Sequence, residues 1–394
     1  MKRHEFGLIV AILAVIVLTG LLDAQHNYWN RPWDSTIDIL RHGSLLGIFA
    51  LGAAIVIIIG GIDLSSGSVI AFAGTICGVI MVALAPEQMQ SGKPLGIGVL
   101  TVAILGTLLV GFLIGSLHAW LITVIGLPPF VATLATLVGL RSLARVIIDS
   151  ATRSSKINVY DESFLYLAQN VWIPTAIFVV LAALTWVFLS RTVVGRHLYA
   201  LGGNEQAAKL SGIRTDRLKW LAYCLSAMLS SLAGILYFAN VSSIDPQTLG
   251  RGYELNGIAA AVVGGCSLQG GVGTVPGTVL GTLFLRIVVD GIAKVIKVGA
   301  DVYEGMIVGI VVVLAVAFTQ SRQMRRQAKP FFSGALGAVT IVNLTLLAGT
   351  LAIILGPQLM PGKSVSRVLL GGVAAALVAV VLLAMRFFET RRLR

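Results

Sequence analysis

The chain has 394 residues, of which 57% are hydrophobic and only 12% charged, with a formal net charge of +12. Soluble domains carry about 25% charged residues, so most of this surface faces something other than water. The composition excludes an ordinary soluble enzyme. The basic excess gathers in short loops and at both ends, with no basic face interleaved with aromatics. It reads as charge bias at a membrane, and no nucleic-acid partner is expected.

Apolar runs of about 20 residues, long enough to cross a bilayer, recur along the chain. Lipid offers backbone no hydrogen bonds, so such runs must be helices or closed barrel strands. Val368 to Met385 is apolar on all sides and lacks the alternation of a barrel strand. The fold class is therefore all-α, a polytopic transmembrane helical bundle.

Lys2 and Arg3 precede an apolar run from Gly7. This run reads as an uncleaved first helix, because the rest of the chain is itself membrane. Helices follow at about 43–61, 66–86, 97–119, 129–148, 171–190, 219–239, 256–269, 272–296, 303–320, 332–356 and 367–386, which makes about twelve with the first at about 7–24. Four basic segments punctuate them: the N-terminus, Arg191 to Lys219, Arg322 to Lys329, and Arg391 to Arg394. With twelve helices all four fall on one side, which the positive-inside rule makes cytoplasmic, together with both termini. The segments around 25–40, 149–165 and 241–255 then fall outside, where Trp29 and Trp33 suit an interfacial belt. Cys77, Cys224 and Cys266 sit in apolar stretches and read as packing residues, with no disulfide inferred.

An internal repeat is visible. Gly60 to Ile70 aligns without a gap on Gly270 to Leu280, at an offset of 210 residues. The repeat covers about 43–80 and 253–290, and such Gly-interrupted segments point to a transport pathway. Its orientation, parallel or inverted, depends on the helix count. The last two helices, within 331–394, lie outside the repeat and extend a main domain over 1–330.

Three segments carry chemistry. The first is Gly60 to Ser68, which holds Asp63, Ser65, Ser66 and three glycines between apolar runs. A carboxylate deep in a bilayer costs about 2.5–3.5 kcal/mol and so faces a cavity or a partner. Asp63 fits a broken-helix pathway segment, or a cap on the next helix. The second is the Arg191–Lys219 loop. Within it Gly203, Asn204, Glu205, Ala207, Ala208, Ser211 and Gly212 belong to a short amphipathic helix, with Asn204 capping its start and Gly212 closing its end. Its small face, Ala207 and Ala208, would let another protein approach. A docking helix and a solvated charged loop both fit. The third, Tyr253 to Gly281, is rich in glycine. There Gly277 and Gly281 form a small-xxx-small pair, as do Gly111 and Gly115, and close helix packing is the plainer reading.

Enzyme-like signals fail. Gly271-Val272-Gly273 lacks the spacing and strand of a dinucleotide fingerprint, and Gly362-Lys363-Ser364 lacks the spacing of a phosphate loop. His4, His26, His42, His118 and His197 have no partner spacing for a metal site or a nucleophilic triad. Arg141 and Arg145 read as snorkelling side chains.

Four stretches, in order and at the right spacing, resemble permease subunits of bacterial ABC importers for ribose, xylose, arabinose and galactose. They are Gly61 to Ser68; Pro129 to Leu134; Gly195 to Asn204, continuing through Ala207-Ala208 to Ser211-Gly212-Ile213; and Glu254 to Ala260, continuing through Gly264-Gly265 to Gly273. They cover about residues 40–320. The resemblance implies a permease of about ten core helices in the plasma (inner) membrane that forms a homodimer and does no covalent chemistry itself. A cytoplasmic ATPase partner carries ATP and Mg, with no cofactor on this chain. A periplasmic or extracellular sugar-binding protein delivers a monosaccharide. Asp63, Ser65, Ser66 and Asn256 become candidates for the substrate pathway, and Gly203 to Gly212 becomes the coupling helix. The family usually has Asp at the position of Asn256 and Thr at that of Cys266, and it ends near residue 330. Permeases for another solute (branched-chain amino acid, nucleoside or signalling furanone) share much of the pattern. A secondary transporter would need a chain of intramembrane carboxylates, which the sequence lacks.

Overall fold

The computed structural model describes residues 3–23, 25–296, 305–311, 313, 332, 334–359 and 366–392. The chain divides into two compact units, Met1–Val316 and Ala317–Arg394. Ten of the described helices are long and apolar enough to cross a bilayer.

Unit one begins with α1 (Arg3–Leu22), a single turn α2 (Asn27–Asn30), and α3 (Pro32–Ile58). A break follows, then α4 (Ser66–Leu84), the short α5 (Pro86–Ser91), α6 (Ile97–Thr123) and α7 (Pro129–Thr152). Next come β1 (Ile157–Asn158), α8 (Glu162–Gln169), α9 (Trp172–Arg191), α10 (Val193–Gly203), α11 (Glu205–Leu210) and α12 (Thr215–Val241). β2 (Ser243–Ile244), α13 (Tyr253–Val263) and α14 (Val275–Ile296) complete it, with residues 305–311 helical beyond.

The spans differ in burial, and burial sets their place. A helix that is apolar all round belongs inside other helices. The α3 span is 89% buried and α12 78%, while α6, α7 and α9 leave Leu105, Leu109, Val138 and Leu184 exposed toward lipid. Lipid tails are as apolar as leucine, so close packing rather than hydrophobicity joins spans. Glycines provide it. A Cβ on Gly115 of α6 would lie 2.5 Å from Cys224 Cα of α12, and one on Gly52 of α3 would lie 2.9 Å from Ser226 Cα.

Two polar ties hold one end of the bundle. β1 and β2 pair antiparallel, Ile157 with Ile244, joining the α7–α8 and α12–α13 connections. Asp161 caps α8 by accepting from Phe164 N (2.7 Å) and also accepts from Leu95 N (2.7 Å). A buried ion pair adds a third: Lys294 donates to Asp290 (2.7 Å) and Ser35 (2.8 Å), and Tyr28 donates to Asp290 (2.8 Å). Such a pair endures in apolar surroundings because each charge has hydrogen-bonding partners.

One sequence expectation needs adjustment. The helix expected over 256–269 is α13, which has 11 residues and ends at Val263. At 1.5 Å per residue it rises about 16 Å, half of a bilayer core of about 30 Å. The helix expected over 303–320 lies largely outside the described residues.

Unit two is a pair of helices, α15 (Gly334–Leu359) and α16 (Arg367–Arg392). They meet where Gly349 faces Ala375 and Gly371, and Phe332 N donates to Glu389 (2.9 Å). The expected boundary near residue 330 falls outside the described residues.

Gly115→Leu drives a side chain into the α12 backbone and should destabilise unit one by about 1–3 kcal/mol. A lowered melting temperature in detergent, absent from Gly98→Leu at an open site, is the expected measurement.

Candidate functional site

The break between α3 and α4 is built by glycine and one carboxylate. Gly60 closes α3 in the left-handed region (φ 78°), so that Gly60 N reaches Ile57 O and Gly61 N reaches Val56 O, each at 2.9 Å. Asp63 then holds the start of α4. Its Oδ1 accepts from Ser65 N (2.9 Å) and Ser65 Oγ (2.6 Å), and its Oδ2 accepts from Ser226 Oγ of α12 (2.9 Å). Leu64 N donates to Thr133 Oγ1 of α7 (3.2 Å). Asp63 is 3% exposed, and Ser65 and Ser66 are buried with it. The carboxylate thus aims three hydrogen bonds at the break, and Ser66 Oγ has no partner among the described residues.

Sequence reasoning missed the residues that close this pocket of polarity. Ser226 and Tyr223 come from α12 and His118 from α6. His118 bonds Thr136 Oγ1 through Nε2 (2.7 Å), and the His118 ring stands edge-on to Tyr223 at 6.3 Å. Nothing local in the sequence marks them; only packing brings them to the break.

The second break repeats the first. Gly264 and Gly265 end α13, with Gly265 N bonded to Val262 O and Cys266 N to Ala261 O, both at 2.9 Å. Cys266 Sγ faces Thr278 Oγ1 at 3.7 Å, and α14 starts at Val275. The two breaks touch. Gly271 N donates to Ile58 O across them at 2.8 Å. A Cβ on Gly270 would lie 2.9 Å from Gly60 Cα, and these two glycines are the pair aligned at the 210-residue offset.

The loop between α9 and α12 sits on this junction. Thr192 caps α10 by accepting from Gly195 N (2.9 Å), and Asn204 caps α11 by accepting from Ala207 N (2.9 Å). Gly212 (φ 80°) closes α11, with Ile213 N bonded to Ala208 O (3.1 Å). Gly202, at the end of α10, lies against Ile58 O and Gly271 N; a side chain there would strike both breaks at once. Tyr199 OH donates to Gly273 O (3.0 Å). Glu205 binds Lys209 (2.9 Å) and Lys219 (2.8 Å), which ties α11 to the base of α12. Burial alone would raise the Glu205 carboxyl; the two lysines outweigh it and hold it below the usual glutamate range.

The outer face of α11 differs from the expected one. Ala208 is 4% exposed and packs inward, so Ala207, Gln206 and Ser211 form the outer face, together with Leu210 at 90% exposed. Gly203 is exposed beside the junction. Leu210 is the residue that sequence reasoning passed over, because a six-residue helix carries too little periodicity to orient.

Asn256 lies elsewhere, on α13, where it lines a cavity of about 170 Å³ with His42, Phe49, Tyr237, Tyr253 and Arg286. Asp63, Ser65 and Ser66 do not line it. Among the described residues no cluster of three His, Cys, Asp or Glu could hold a metal.

Spanning helices broken at a shared glycine junction, with a capped helix resting on it, define an integral-membrane permease component of a transport system. Residues 35–316 match the family model described as branched-chain amino acid transport system / permease component, and the chain belongs to that family. It is 35% identical over 321 residues to the ribose import permease protein RbsC of Bacillus subtilis, covering 81% of this chain and 94% of that protein. It is 34% identical over 284 residues to ribose import permease protein RbsC of Haemophilus influenzae, covering 70% of this chain and 81% of that protein. It is 33% identical over 291 residues to the autoinducer 2 import system permease protein LsrC of Photorhabdus luminescens, covering 72% and 81% respectively. No solved structure matches the chain. Unit two lies beyond the family match.

Because the folded Glu205 carboxyl titrates below its unfolded value, its contribution is complete above the ordinary glutamate range, near pH 4.3. It is lost as pH falls through the lower, folded value. Protease nicking of the α10–α12 loop should therefore rise modestly and only in acid, and Glu205→Gln should show the raised nicking already at pH 7. Gly202→Val should leave the protein in the membrane yet disorder the junction, read as faster hydrogen exchange at Gly60, Gly61 and Gly271.

Proposed function

We propose that this chain is the membrane-spanning permease subunit of an ATP-driven monosaccharide importer. The carrying observation is the capped α10–α11 segment, whose Gly202 touches both helix breaks. A partner that pushes α11 would move both breaks together. The sugar assignment is supported by the relatives named as ribose import permeases. Asp63, Ser65 and Ser66 then act as the rigid frame of the first break, and Asn256 faces the substrate.

On this reading the basic α9–α12 loop and both termini are cytoplasmic, as the positive-inside rule demands. A separate ATPase holds ATP and Mg and docks on Ala207, Leu210 and Ser211. A binding protein outside delivers the sugar, and a second copy of this chain completes the pathway. The chain performs no covalent chemistry. It converts differential partner contacts in two states into alternating access. The two helix–break–helix segments are parallel duplicates, and α15 and α16 form an appended hairpin. The relative named for autoinducer 2 import supports a second reading, in which the cargo is autoinducer 2.

The test is uptake of labelled pentoses and hexoses by proteoliposomes holding this chain with its co-encoded ATPase and binding protein. ATP-dependent accumulation of a monosaccharide is expected. Ala207→Arg with Leu210→Asp should reduce both uptake and ATPase stimulation by at least tenfold while membrane insertion is unchanged. Wild-type uptake that proceeds without any ATPase would refute the reading.

A further inference from the structure

The cavity lined by Asn256 has a chemistry of its own. Its walls come from α3, α12, α13 and α14, with Val308 beyond. Phe49 and Tyr253 lie parallel, 3° apart in plane with centroids 6.1 Å apart, and Tyr237 stands 4.9 Å from Tyr253. Phe49 is fully buried in this stack, and polar groups line the same cavity. His42 Nδ1 donates to Asp38 O (3.0 Å); a carbonyl only accepts, so a neutral His42 leaves Nε2 as an acceptor. Arg286 donates only, and its buried Nε has no partner among the described residues. Asn256 can donate and accept.

Resting on the sugar-importer reading, we propose that this cavity is where each copy of the subunit holds one monosaccharide ring during passage. Size argues for one ring. A cavity of about 150 Å³ takes up benzene, and this one measures about 170 Å³, so a disaccharide does not fit. Hydrogen bonding argues for hydroxyls, because a hydroxyl both donates to His42 and accepts from Arg286. A concave pocket with a small number of placed polar groups is the general make-up of a small-molecule site. Charge argues against an amino acid: no described lining residue is a carboxylate that could pair its ammonium.

The site is also placed to respond. Phe49 lies on α3 and Tyr253 and Asn256 on α13, and both helices end at the junction capped by Gly202. Motion there shifts two walls of the cavity relative to α12.

The experiment uses the full importer in proteoliposomes, with initial uptake measured for a panel of pentose epimers and one disaccharide. Asn256→Leu and Tyr253→Leu should each lower uptake at least fivefold, and Asn256→Leu should change the preference between epimers by a similar factor. That change of preference is a readout that mere destabilisation would not give. Tyr253→Phe should recover most of the uptake, because the ring face is kept. If a leucine variant fails to assemble, Asn256→Gln takes its place and must shift the epimer preference. Wild-type sugar uptake with rates and preferences unmoved by these variants overturns the cavity and spares the proposed function. A wild-type complex that moves no sugar overturns both, and disaccharide uptake overturns the size argument alone.

Discussion

The structure depends on one constraint: a backbone interrupted among apolar helices must find its hydrogen bonds inside the protein. Unit one interrupts its helices twice, and each interruption partly satisfies the other. Gly271 N bonded to Ile58 O is the direct link. It forms only because Gly60, Gly270 and Gly202 let three chain segments approach within van der Waals distance of backbone. Asp63 completes the first break, accepting from one backbone amide and two hydroxyls. The second break carries no carboxylate of its own, and its Thr274 donates to Glu5 of α1 (3.2 Å). It relies on turns closed by Gly265 and Gly270 and on the neighbouring Cys266 and Thr278.

That dependence makes the junction a natural place for two discrete arrangements. Packed interiors are bistable rather than continuously deformable, so a small shift at one edge is either absorbed or passed on whole. Gly202 leaves no slack between α10 and the breaks. The ion pair from Glu205 to Lys219 ties α11 to α12, while the pair to Lys209 stays within α11. Exposed pairs of this kind stabilise little, so their effect is to register α11 against α12.

Much of this was legible in the sequence where the signal was local. Asp63 among glycines between apolar runs announced a break. Asn204 and Gly212 announced the ends of α11, and both do what their residue types suggest. Signals that depend on packing were not legible. α13 reads as a full span because Val262 and Val263 run into further small and apolar residues; Gly264 and Gly265, which end it, looked like packing glycines. Ser226 reaches Asp63 across 163 residues, and no spacing rule finds such a pair. Ala208 and Leu210 differ in exposure because of how α11 rolls onto α12, which six residues do not encode.

The distribution of ionisable groups closes the argument about energy. Among the described residues of unit one, Asp290 is paired with Lys294 and Asp63 is locked into a turn. Neither of these two carboxylates waits for a coupling ion, and moving charge through lipid demands a succession of such groups. Under the proposed function the driving force must therefore enter mechanically, from outside the bilayer. The segment shaped to receive it is the one that touches both breaks. Under the proposed function the described part of the chain separates its tasks by depth, with α11 receiving force and the glycine junction dividing it between α3 and α13. The aromatic cavity lies along those same two helices, away from the charged loop.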